Sequence, residues 1–431
     1  MISFGVLTCS GLCFIINCLH SSNGSLKQIK ASSFRLNITQ TWGYYTSFDS
    51  KVDSDDEKKD WQNSGAYIFR PSTPEQHLHS IKPLSAIFQN TSVGMEVQVQ
   101  YEVPWIKTTT RVMTGLPYLE VEYTVGPIPI DDHRGKEIVT RLSSPIKSSD
   151  TFFTDTNGRE FMERKRNYRP TWDLNVFEPV AGNYYPVNAA IYIEDKSGAA
   201  LAVATDRTQG GSSLADGSIE LMVQRRTLAD DWRGVFEPMN ETDGDVTPYP
   251  PYGNATRFGT GVVVRGKHRI RIGDHGGAVL ARSMMDTSFA DPILFVGSSA
   301  NATELPFRAF DFSGLEVALP PNVMLITRSL LYNETSLTFL IRLGHQYAIG
   351  EHEKYSKSVK VDLALCVPGF KIVDVVEMTL SGNQRYSHWL DKRFDWVGGG
   401  SAVNEVGITD NSTVVLLPME IRTFRVTVKA P

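Results

Sequence analysis

Strict alternation of apolar and polar residues is the main pattern along this chain. In residues 95–103, MEVQVQYEV, every second residue is apolar, and residues 119–125, LEVEYTV, repeat the pattern. Successive side chains on a strand point to opposite faces of a sheet, so each segment predicts a strand with one buried face. Residues 359–365 and 424–428 alternate in the same way. These patterns predict antiparallel sheets that each turn one face to a core.

Other segments predict how the strands are connected. Residues 261–272, GVVVRGKHRIRI, predict a hairpin that turns near Arg265, Gly266 and Lys267. Helical periodicity is scarce, and residues 279–286 predict one short helix. The 34 glycines and 22 prolines are spread along the chain and separate many short segments. Because strands do not alternate with helices, a doubly wound or TIM-type domain is disfavoured, and the pattern predicts an all-β fold of stacked sandwiches.

Length and polar stretches indicate more than one domain. A chain of 431 residues is too long for one ordinary core. Residues 49–64 are acidic and polar and predict a surface loop, while residues 296–323 have the composition of a domain junction. We therefore predict an atypical N-terminal segment at 1–24, a large antiparallel β-sandwich at 25–319 and a smaller C-terminal β-sandwich at 320–431.

The first segment is apolar but is a poor membrane or export signal. Residues 2–18 are shorter than a full membrane span, so no span is predicted. No Lys or Arg precedes the segment, which favours a buried strand or strand pair over a signal peptide. Three of the four cysteines lie here, at Cys9, Cys13 and Cys18, in a spacing that fits no standard zinc pattern. One disulfide is possible but is not required.

Charge and glycosylation sequons bear on partners and compartment. The net charge of −5 and the lack of a dense basic stripe argue against nucleic acid as the main partner. Each N-x-[ST] sequon needs an exposed loop in a protein that passes through the secretory pathway. The sequence predicts eight candidate sites: Asn23, Asn37, Asn90, Asn240, Asn254, Asn301, Asn333 and Asn411. Together they favour a lysosomal, vacuolar or secreted protein.

A pair of aspartates in RRTLADDWRGV, residues 225–235, is the first candidate for catalysis. Glycosidases use two carboxyl groups that converge on one sugar. Neighbouring residues on a strand point to opposite faces, so Asp230 and Asp231 cannot converge if the segment is extended. Adjacent aspartates in a loop more often accept hydrogen bonds from backbone N–H groups. We therefore favour the interpretation that they brace a turn. By itself, the following Arg233 is best explained as a partner of either aspartate.

Nucleophile and metal motifs give no further candidate. The histidines form no H-x-x-x-H or H-x-D arrangement, and there is no C-x-x-C. His77 and His79 would share one face of a strand, a spacing that more often marks a surface edge. The stretch GGSS, residues 210–213, lacks the G-x-S-x-G frame of a nucleophile elbow. No catalytic residue and no zinc site is therefore predicted from the residues alone.

Eight segments are far more specific when they are taken together, in order and spacing. They are SGAYIFRP (64–71), VGPIPI (125–130), TDTNGREFMERKRNYRPTW (154–172), EPVAGNYYPVN (178–188), TDRTQGGSSLADGSIELMVQRR (205–226), DDWRGV (230–235), HQYAIGE (345–351) and LPMEIRTF (417–424). They closely resemble the C-terminal half of lysosomal-type α-mannosidases, glycoside hydrolase family 38. The resemblance runs from about residue 25 to residue 428.

The resemblance implies an architecture and a division of labour. In the family an N-terminal α/β catalytic domain and a three-helix bundle precede β-sandwich domains, and the large sandwich is of the galactose-mutarotase type. This chain is similar to the last β-domains only. The aspartate nucleophile and most Zn²⁺ ligands are implied to lie in H-x-D and D-P-F-G-H type motifs of the catalytic domain, and this chain lacks those motifs. The resemblance thus identifies no zinc ligand in this chain.

The same resemblance implies three substrate-binding residues. Arg233 and Gly234 match the arginine and glycine of the family's DD-x-RG motif, and Tyr67 matches the tyrosine of its SGAY-type segment. A tyrosine on a strand is more often part of a core, so a purely structural role for Tyr67 is equally well supported. The implied activity is retaining hydrolysis of terminal α-linked mannose from N-glycans, with this chain as scaffold and one wall of the pocket.

Other functions remain open at this point. The chain could pair with a catalytic α/β domain from the same gene or a separate chain, or it could be a degenerate copy. On its own it is expected to be inactive or nearly so. The alternative from another class is a non-catalytic carbohydrate-binding β-sandwich module, and a structural remnant is a third.

Overall fold

The alternating segments form strands in a computed structural model that describes residues 2–3, 16–54, 61–244, 259–289, 293, 313–332, 336–394 and 412–430. The chain divides into two units, residues 1–291 and 292–431. The strands of the first unit are β1 (Ile2–Ser3), β2 (Ile16–His20), β3 (Leu26–Ala31), β4 (Phe34–Asn37), β5 (Thr39–Thr46), β6 (His79–Ile81), β7 (Pro83–Thr91), β8 (Gly94–Tyr101), β9 (Ile106–Met113), β10 (Leu119–Val125), β11 (Lys136–Ser143), β12 (Thr151–Thr156), β13 (Glu160–Lys165), β14 (Tyr185–Val187), β15 (Ala190–Glu194), β16 (Ala200–Thr205), β17 (Gln209–Ser212), β18 (Ser218–Arg226) and β19 (Val264–Gly273). Its helices are α1 (Ser50–Asp53) and α2 (Gly277–Phe289).

Three antiparallel sheets make up the described part of the first unit. A nine-stranded sheet has the order β13-β12-β15-β16-β19-β10-β9-β8-β7, and a six-stranded sheet has the order β14-β17-β18-β11-β5-β6. Their inner faces share one hydrophobic core, which includes Val121 of β10, Ile191 of β15 and Leu221 of β18. The four-stranded sheet β1-β2-β3-β4 adds Ile29 to this core. This is a large β-sandwich, as the alternation predicts.

The outer faces of both large sheets are also covered. Helix α2 packs Leu280 and Met284 against Tyr192 and the alanines of β16 on the nine-stranded sheet. On the six-stranded sheet, Tyr45 and Met222 pack with Phe69 from the loop between β5 and β6. The packing of Phe69 against this sheet matters for function, because it fixes one end of the loop that contains Tyr67.

The second unit is a smaller β-structure with its own core. It contains β20 (Val323–Leu330), β21 (Thr338–His345), β22 (Val359–Asp362), β23 (Lys371–Met378), α3 (Tyr386–Leu390), β24 (Thr413–Leu416) and β25 (Ile421–Lys429). The four-stranded sheet β20-β21-β25-β23 and the pair β22-β24 enclose Ile341, Val414 and Phe424. The prediction of an all-β fold, a large sandwich followed by a smaller one, is confirmed. The predicted domain bounds stay a prediction beside the division at residue 291.

The predicted hairpin at residues 261–272 is wrong. Strand β19 is continuous through Arg265, Gly266 and Lys267, and Gly266 pairs with Tyr123 of β10. A Cβ on Gly266 would lie 2.3 Å from the Tyr123 hydroxyl oxygen. The glycine therefore leaves room for the buried Tyr123 ring in an extended strand rather than allowing a turn.

Two other segments differ from their predictions in extent. The helix predicted at 279–286 is present and runs longer, as α2. Strand β22 stops at Asp362, whose carboxylate accepts a hydrogen bond from Ala364 N, and a 3-10 helix, Leu363–Cys366, follows. A capped helical turn thus ends the alternation before residue 365.

In the apolar first segment, β1 and β2 are strands, and residues 4–15 lie outside the described residues, with Cys9 and Cys13 among them.

Two of the four cysteines, and helices α1 to α3, lie in the part of the chain that the structure describes. Cys18 and Cys366 are buried free thiols, and burial raises the pKa of Cys18 to about 12. No helix among the described residues is long and apolar enough to cross a membrane.

A buried histidine makes the stability of the large sandwich sensitive to acid. His268 of β19 is 1% exposed, lies beside Tyr123, and its Nε2 is 2.8 Å from Gln209 Oε1. Burial lowers the pKa of His268 to about 4, with Asp206 opposing and Arg207 reinforcing the shift. Because the unfolded chain binds the proton first, stability is lost as the pH falls from about 6.5 towards 4.

We expect that loss to be roughly 3 kcal/mol of unfolding free energy between pH 7 and about pH 4. The variant His268→Gln stays neutral over this range, so its stability should fall less with acid. Urea titrations at both pH values, followed by circular dichroism, measure the difference. If the unfolding free energy of the variant and of the parent chain fell equally between the two pH values, His268 would not be the source of the acid sensitivity.

Candidate functional site

Two segments far apart in sequence meet beside the outer face of the six-stranded sheet. Residues 61–70 belong to the connection between β5 and β6, and residues 230–236 belong to the loop that follows β18. Asn63 Nδ2 donates to the Asp230 carbonyl at 2.8 Å, and Gln62 Nε2 donates to the Asp231 carbonyl at 2.9 Å. Side-chain amides thus satisfy backbone acceptors across the junction and hold the two loops together.

The Asp231 carboxylate lies at the centre of this junction. The residue is 1% exposed, and its Oδ2 accepts hydrogen bonds from Tyr67 N at 2.6 Å and Ile68 N at 3.0 Å. Its Oδ1 accepts from Arg233 N at 3.1 Å. An ionised acceptor makes stronger bonds to N–H groups than a neutral one. One side chain therefore fixes the backbone of both segments that carry the predicted substrate-binding residues.

A glutamine holds the Arg233 side chain. Arg233 Nε donates to Gln62 Oε1 at 2.9 Å, and a second guanidinium nitrogen, Nη2, contacts the same oxygen. Gln62 is held in turn through its carbonyl, which accepts from Arg70 Nη1 at 2.9 Å. The guanidinium is thus oriented by an amide rather than by Asp230 or Asp231, contrary to the simplest interpretation of the sequence.

Tyr67 and Gly234 come together on the exposed side of the junction. A Cβ built on Gly234 would lie 3.7 Å from Tyr67 Cε2, and Gly234 has a φ of +140°, a conformation that favours glycine. Tyr67 is 64% exposed, so it is not a core residue. Trp61 and Trp232 directly precede Gln62 and Arg233 in the chain and are 75% and 68% exposed. Exposed aromatic groups beside a fixed guanidinium and a phenol are well suited to recognise a sugar or another polar ring.

A buried ion pair lies beneath this surface and ties it to the sheet. Glu137 of β11 and Arg225 of β18 are cross-strand partners, and Arg225 Nη2 donates to Glu137 Oε1 at 2.7 Å. The same Arg225 nitrogen donates to the Ile68 carbonyl at 2.6 Å, and Ser64 Oγ donates to Glu137 Oε1 at 2.6 Å. Burial raises the pKa of Glu137, and the charge of Arg225 opposes that shift. The loop is thereby anchored at Ser64 and Ile68, on either side of Tyr67.

The carboxylates of the two aspartates have different surroundings. The interpretation of Asp231 as a brace is confirmed by its three backbone hydrogen bonds. Both carboxylate oxygens of Asp230 are shielded from solvent and have no hydrogen-bond partner among the described residues. The same interpretation is wrong for the Asp230 side chain, because among the described contacts of this residue only its carbonyl accepts a hydrogen bond across the junction, from Asn63.

Metal ligands are not grouped in the part of the chain that the structure describes. No cluster there has three or more His, Cys, Asp or Glu side chains that could hold a metal ion. His79 stacks on Tyr44, with ring centroids 4.9 Å apart. The described residues therefore do not fit the zinc that the resemblance implies for the intact enzyme.

The sequon asparagines differ in their surroundings. Asn37 and Asn90 are exposed. Asn23 Nδ2, the atom to which a glycan would be attached, donates to the Pro83 carbonyl at 3.1 Å, and Asn240 Oδ1 accepts from Arg226 Nε at 2.7 Å. The remaining candidates lie outside the described residues: Asn254, Asn301, Asn333 and Asn411. Glycosylation stays a prediction at all eight positions.

Comparison with known proteins gives a consistent family. The profile described as "Glycosyl hydrolases family 38 C-terminal domain" matches residues 19–233, a range that ends on Arg233. A probable alpha-mannosidase of Arabidopsis thaliana is 38% identical over 411 residues, which is 91% of this chain and 38% of that protein. The lysosomal alpha-mannosidase of Cavia porcellus is 37% identical over 423 residues, 94% of this chain and 38% of that protein.

The fold also has solved counterparts. The crystal structure of an alpha-mannosidase from Enterococcus faecalis V583 superposes with a TM-score of 0.58 at 13% identity, over 95% of this chain and 41% of that one. At this identity the likeness concerns the fold alone. This chain spans about two fifths of the length of the relatives that it matches.

Proposed function

Because the chain carries the C-terminal domain of glycosyl hydrolase family 38, we propose that it is part of a retaining α-mannosidase that removes terminal α-linked mannose from N-glycans. The names of the relatives, lysosomal and probable alpha-mannosidases, support the substrate class. The lysosomal relatives also favour the lysosome as its compartment, with the vacuole or secretion as the alternatives.

The observation that carries this proposal is the Asp231 junction. It brings Tyr67 beside Gly234 and fixes the Arg233 backbone on one exposed surface. A guanidinium has several N–H donors, and in the described contacts Gln62 uses only part of this set. The remaining donors and the Tyr67 hydroxyl are suited to bind the hydroxyl groups of a mannose. This surface is one wall of the proposed pocket.

The other wall must supply the bond-breaking groups. Retaining hydrolysis needs a nucleophilic carboxylate and an acid/base carboxyl group about 5 Å apart on the two sides of the scissile bond. Asp231 is committed to three backbone N–H groups, so it is a positioning residue rather than a nucleophile. We infer that a catalytic α/β domain, in the same polypeptide or a separate chain, provides the nucleophile, the acid and the zinc ligands.

The proposal predicts that the pure chain does not hydrolyse an aryl α-mannoside, with or without added zinc. The physical reason is that the residues of the wall bind and orient a sugar but provide no nucleophile for its anomeric carbon. The release of the aryl alcohol measures this, with lysosomal alpha-mannosidase of Cavia porcellus as the active control. Zinc-dependent turnover by the pure chain, at a rate comparable with the control, would refute the division of labour.

A further inference from the structure

A concave site lies in the C-terminal unit and is lined by residues from 377–389 and 420–423. The end of β23, the loop that follows it, helix α3 and the start of β25 line an open cleft of about 670 Å³. This volume is in the range of small-molecule sites. The cleft has its own lining residues, and none of them belongs to the Arg233 surface.

An ion pair between a buried arginine and a partly exposed glutamate forms part of the cleft lining. Arg422 of β25 is 5% exposed and makes two bonds to Glu377 of β23, at 2.8 Å and 2.6 Å. The third bond of this guanidinium goes to the Val415 carbonyl at 2.8 Å. Each carboxylate oxygen has a second lone pair, so a fixed and partly exposed Glu377 can also accept a hydrogen bond from a ligand hydroxyl.

Two aromatic rings provide an apolar surface in the same cleft. Tyr386 and Trp389 lie one turn apart on α3, with ring centroids 5.3 Å apart and an interplanar angle of 31°. Both are half-buried, so the rings keep an accessible surface. Arg393 lies 5.2 Å from the Trp389 ring centre and stabilises its position.

The polar rim of the cleft is held in place before any ligand arrives. Thr379 and Ser381 each donate to Asn383 Oδ1 at 2.8 Å, and Thr379 N donates to the Gln384 carbonyl at 3.0 Å. Arg342 of β21 donates to the carbonyls of the loop at Leu380 and Ser381. A loop that is already ordered binds a ligand at a lower entropic cost.

We propose that this cleft binds a neutral pyranose. The flat C–H face of a pyranose is apolar and fits against Tyr386 and Trp389, while its hydroxyl groups pair with Glu377 and the amides of the rim. Arg422 balances the charge of Glu377, so the Glu420 carboxylate leaves the lining with a net negative charge, which disfavours an anion such as phosphate or a sugar acid. The cleft shares no lining residue with the Arg233 surface, so the proposal does not depend on Arg233.

Binding of two neutral probes to the full chain tests this proposal. Methyl α-mannoside and N,N′-diacetylchitobiose, both made of pyranose rings, are titrated by saturation-transfer difference NMR and calorimetry. At least one is expected to bind, and Trp389→Ala should weaken its binding about tenfold, which is about 1.4 kcal/mol of binding free energy. Trp389→Phe retains an aromatic face and should bind within a few-fold of the parent chain.

Matched variants distinguish binding in this cleft from binding at the Arg233 surface and from a loss of folding. Tyr332→Ala removes a ring that is 88% exposed in the same unit and should leave binding unchanged. Arg233→Ala is measured beside it and reports how much of the binding occurs at the Arg233 surface. Tyr386→Ala repeats the test with the second ring, and circular dichroism verifies that each variant is folded. Two outcomes would overturn the proposal. One is that the parent chain binds neither probe, and the other is that folded Trp389→Ala and Tyr386→Ala both bind a probe as tightly as the parent chain does. Binding lost only in Arg233→Ala would assign the sugar to the other surface and would also overturn it.

Discussion

Replacing Asp231 with asparagine is expected to lower the free energy of unfolding by about 4 kcal/mol. The buried carboxylate accepts three backbone hydrogen bonds, from Tyr67, Ile68 and Arg233. Asparagine has the same shape but only one acceptor oxygen, and its NH₂ group would face N–H donors on the other side. At least one buried donor would be left without a partner, and the remaining bonds would lose the charge of the acceptor.

The neighbouring residue provides a matched control for this experiment. Asp230→Asn makes the same chemical change one position earlier, where the carboxylate oxygens have no hydrogen-bond partner among the described residues. We expect the stability of that variant to be unchanged or slightly higher, because a shielded charge without a partner is removed. Urea unfolding of both variants gives the comparison. Equal effects at the two positions would contradict the assignment of Asp231 as the residue that joins the loops.

Much of the fold could be predicted from the sequence because the signal is local. The alternation of residues 119–125 became β10, in which Leu119, Val121, Tyr123 and Val125 are buried. The hairpin at residues 261–272 was wrong for a reason that is not local. The local sequence favours Gly266 as a turn residue, whereas in the sheet its lack of a side chain makes room for Tyr123 of the neighbouring strand. Strand pairing, which the sequence does not display, decides between the two roles.

The candidate site depends even more on contacts between distant segments, which the sequence does not display. Turn chemistry in a short segment was enough to predict that Asp231 accepts backbone hydrogen bonds. The partner of Arg233 could not be predicted, because Gln62 lies 171 residues away and no motif marks it. The proximity of Tyr67 and Gly234 follows from the pairing of β5 with β11 and of β11 with β18, because both loops leave the sheet at the same end of these strands. Resemblance to the family named these residues, and the sheet topology brings them together.

The second large effect is expected on catalysis. In an enzyme that contains this chain, Arg233→Ala should lower kcat/KM for an aryl α-mannoside about a hundredfold, which is about 2.7 kcal/mol of lost transition-state binding. The fixed guanidinium would no longer meet the hydroxyl groups of the mannose, and a charged hydrogen bond in a closed pocket contributes this much. Stability should hardly change, because the side chain is exposed and its main described partner is Gln62.

The variant Arg233→Lys distinguishes charge from geometry. Lysine keeps the positive charge but cannot use Nε and a second nitrogen at once, so it should restore only part of the activity. Arg35→Ala, at an exposed position of β4 in the same unit, is the matched control and should leave kcat/KM unchanged. Full activity of Arg233→Lys would show that charge alone is needed, and not the orientation that Gln62 imposes.

The most direct test uses a hybrid enzyme in which this chain replaces the matching segment of the probable alpha-mannosidase of Arabidopsis thaliana. Its hydrolysis of an aryl α-mannoside is measured with Arg233 intact and with Arg233→Ala. We predict an active hybrid whose kcat/KM falls about a hundredfold on the substitution while its thermal stability is retained. An active hybrid with the same kcat/KM after Arg233→Ala would contradict the claim that this chain forms one wall of the mannosidase pocket.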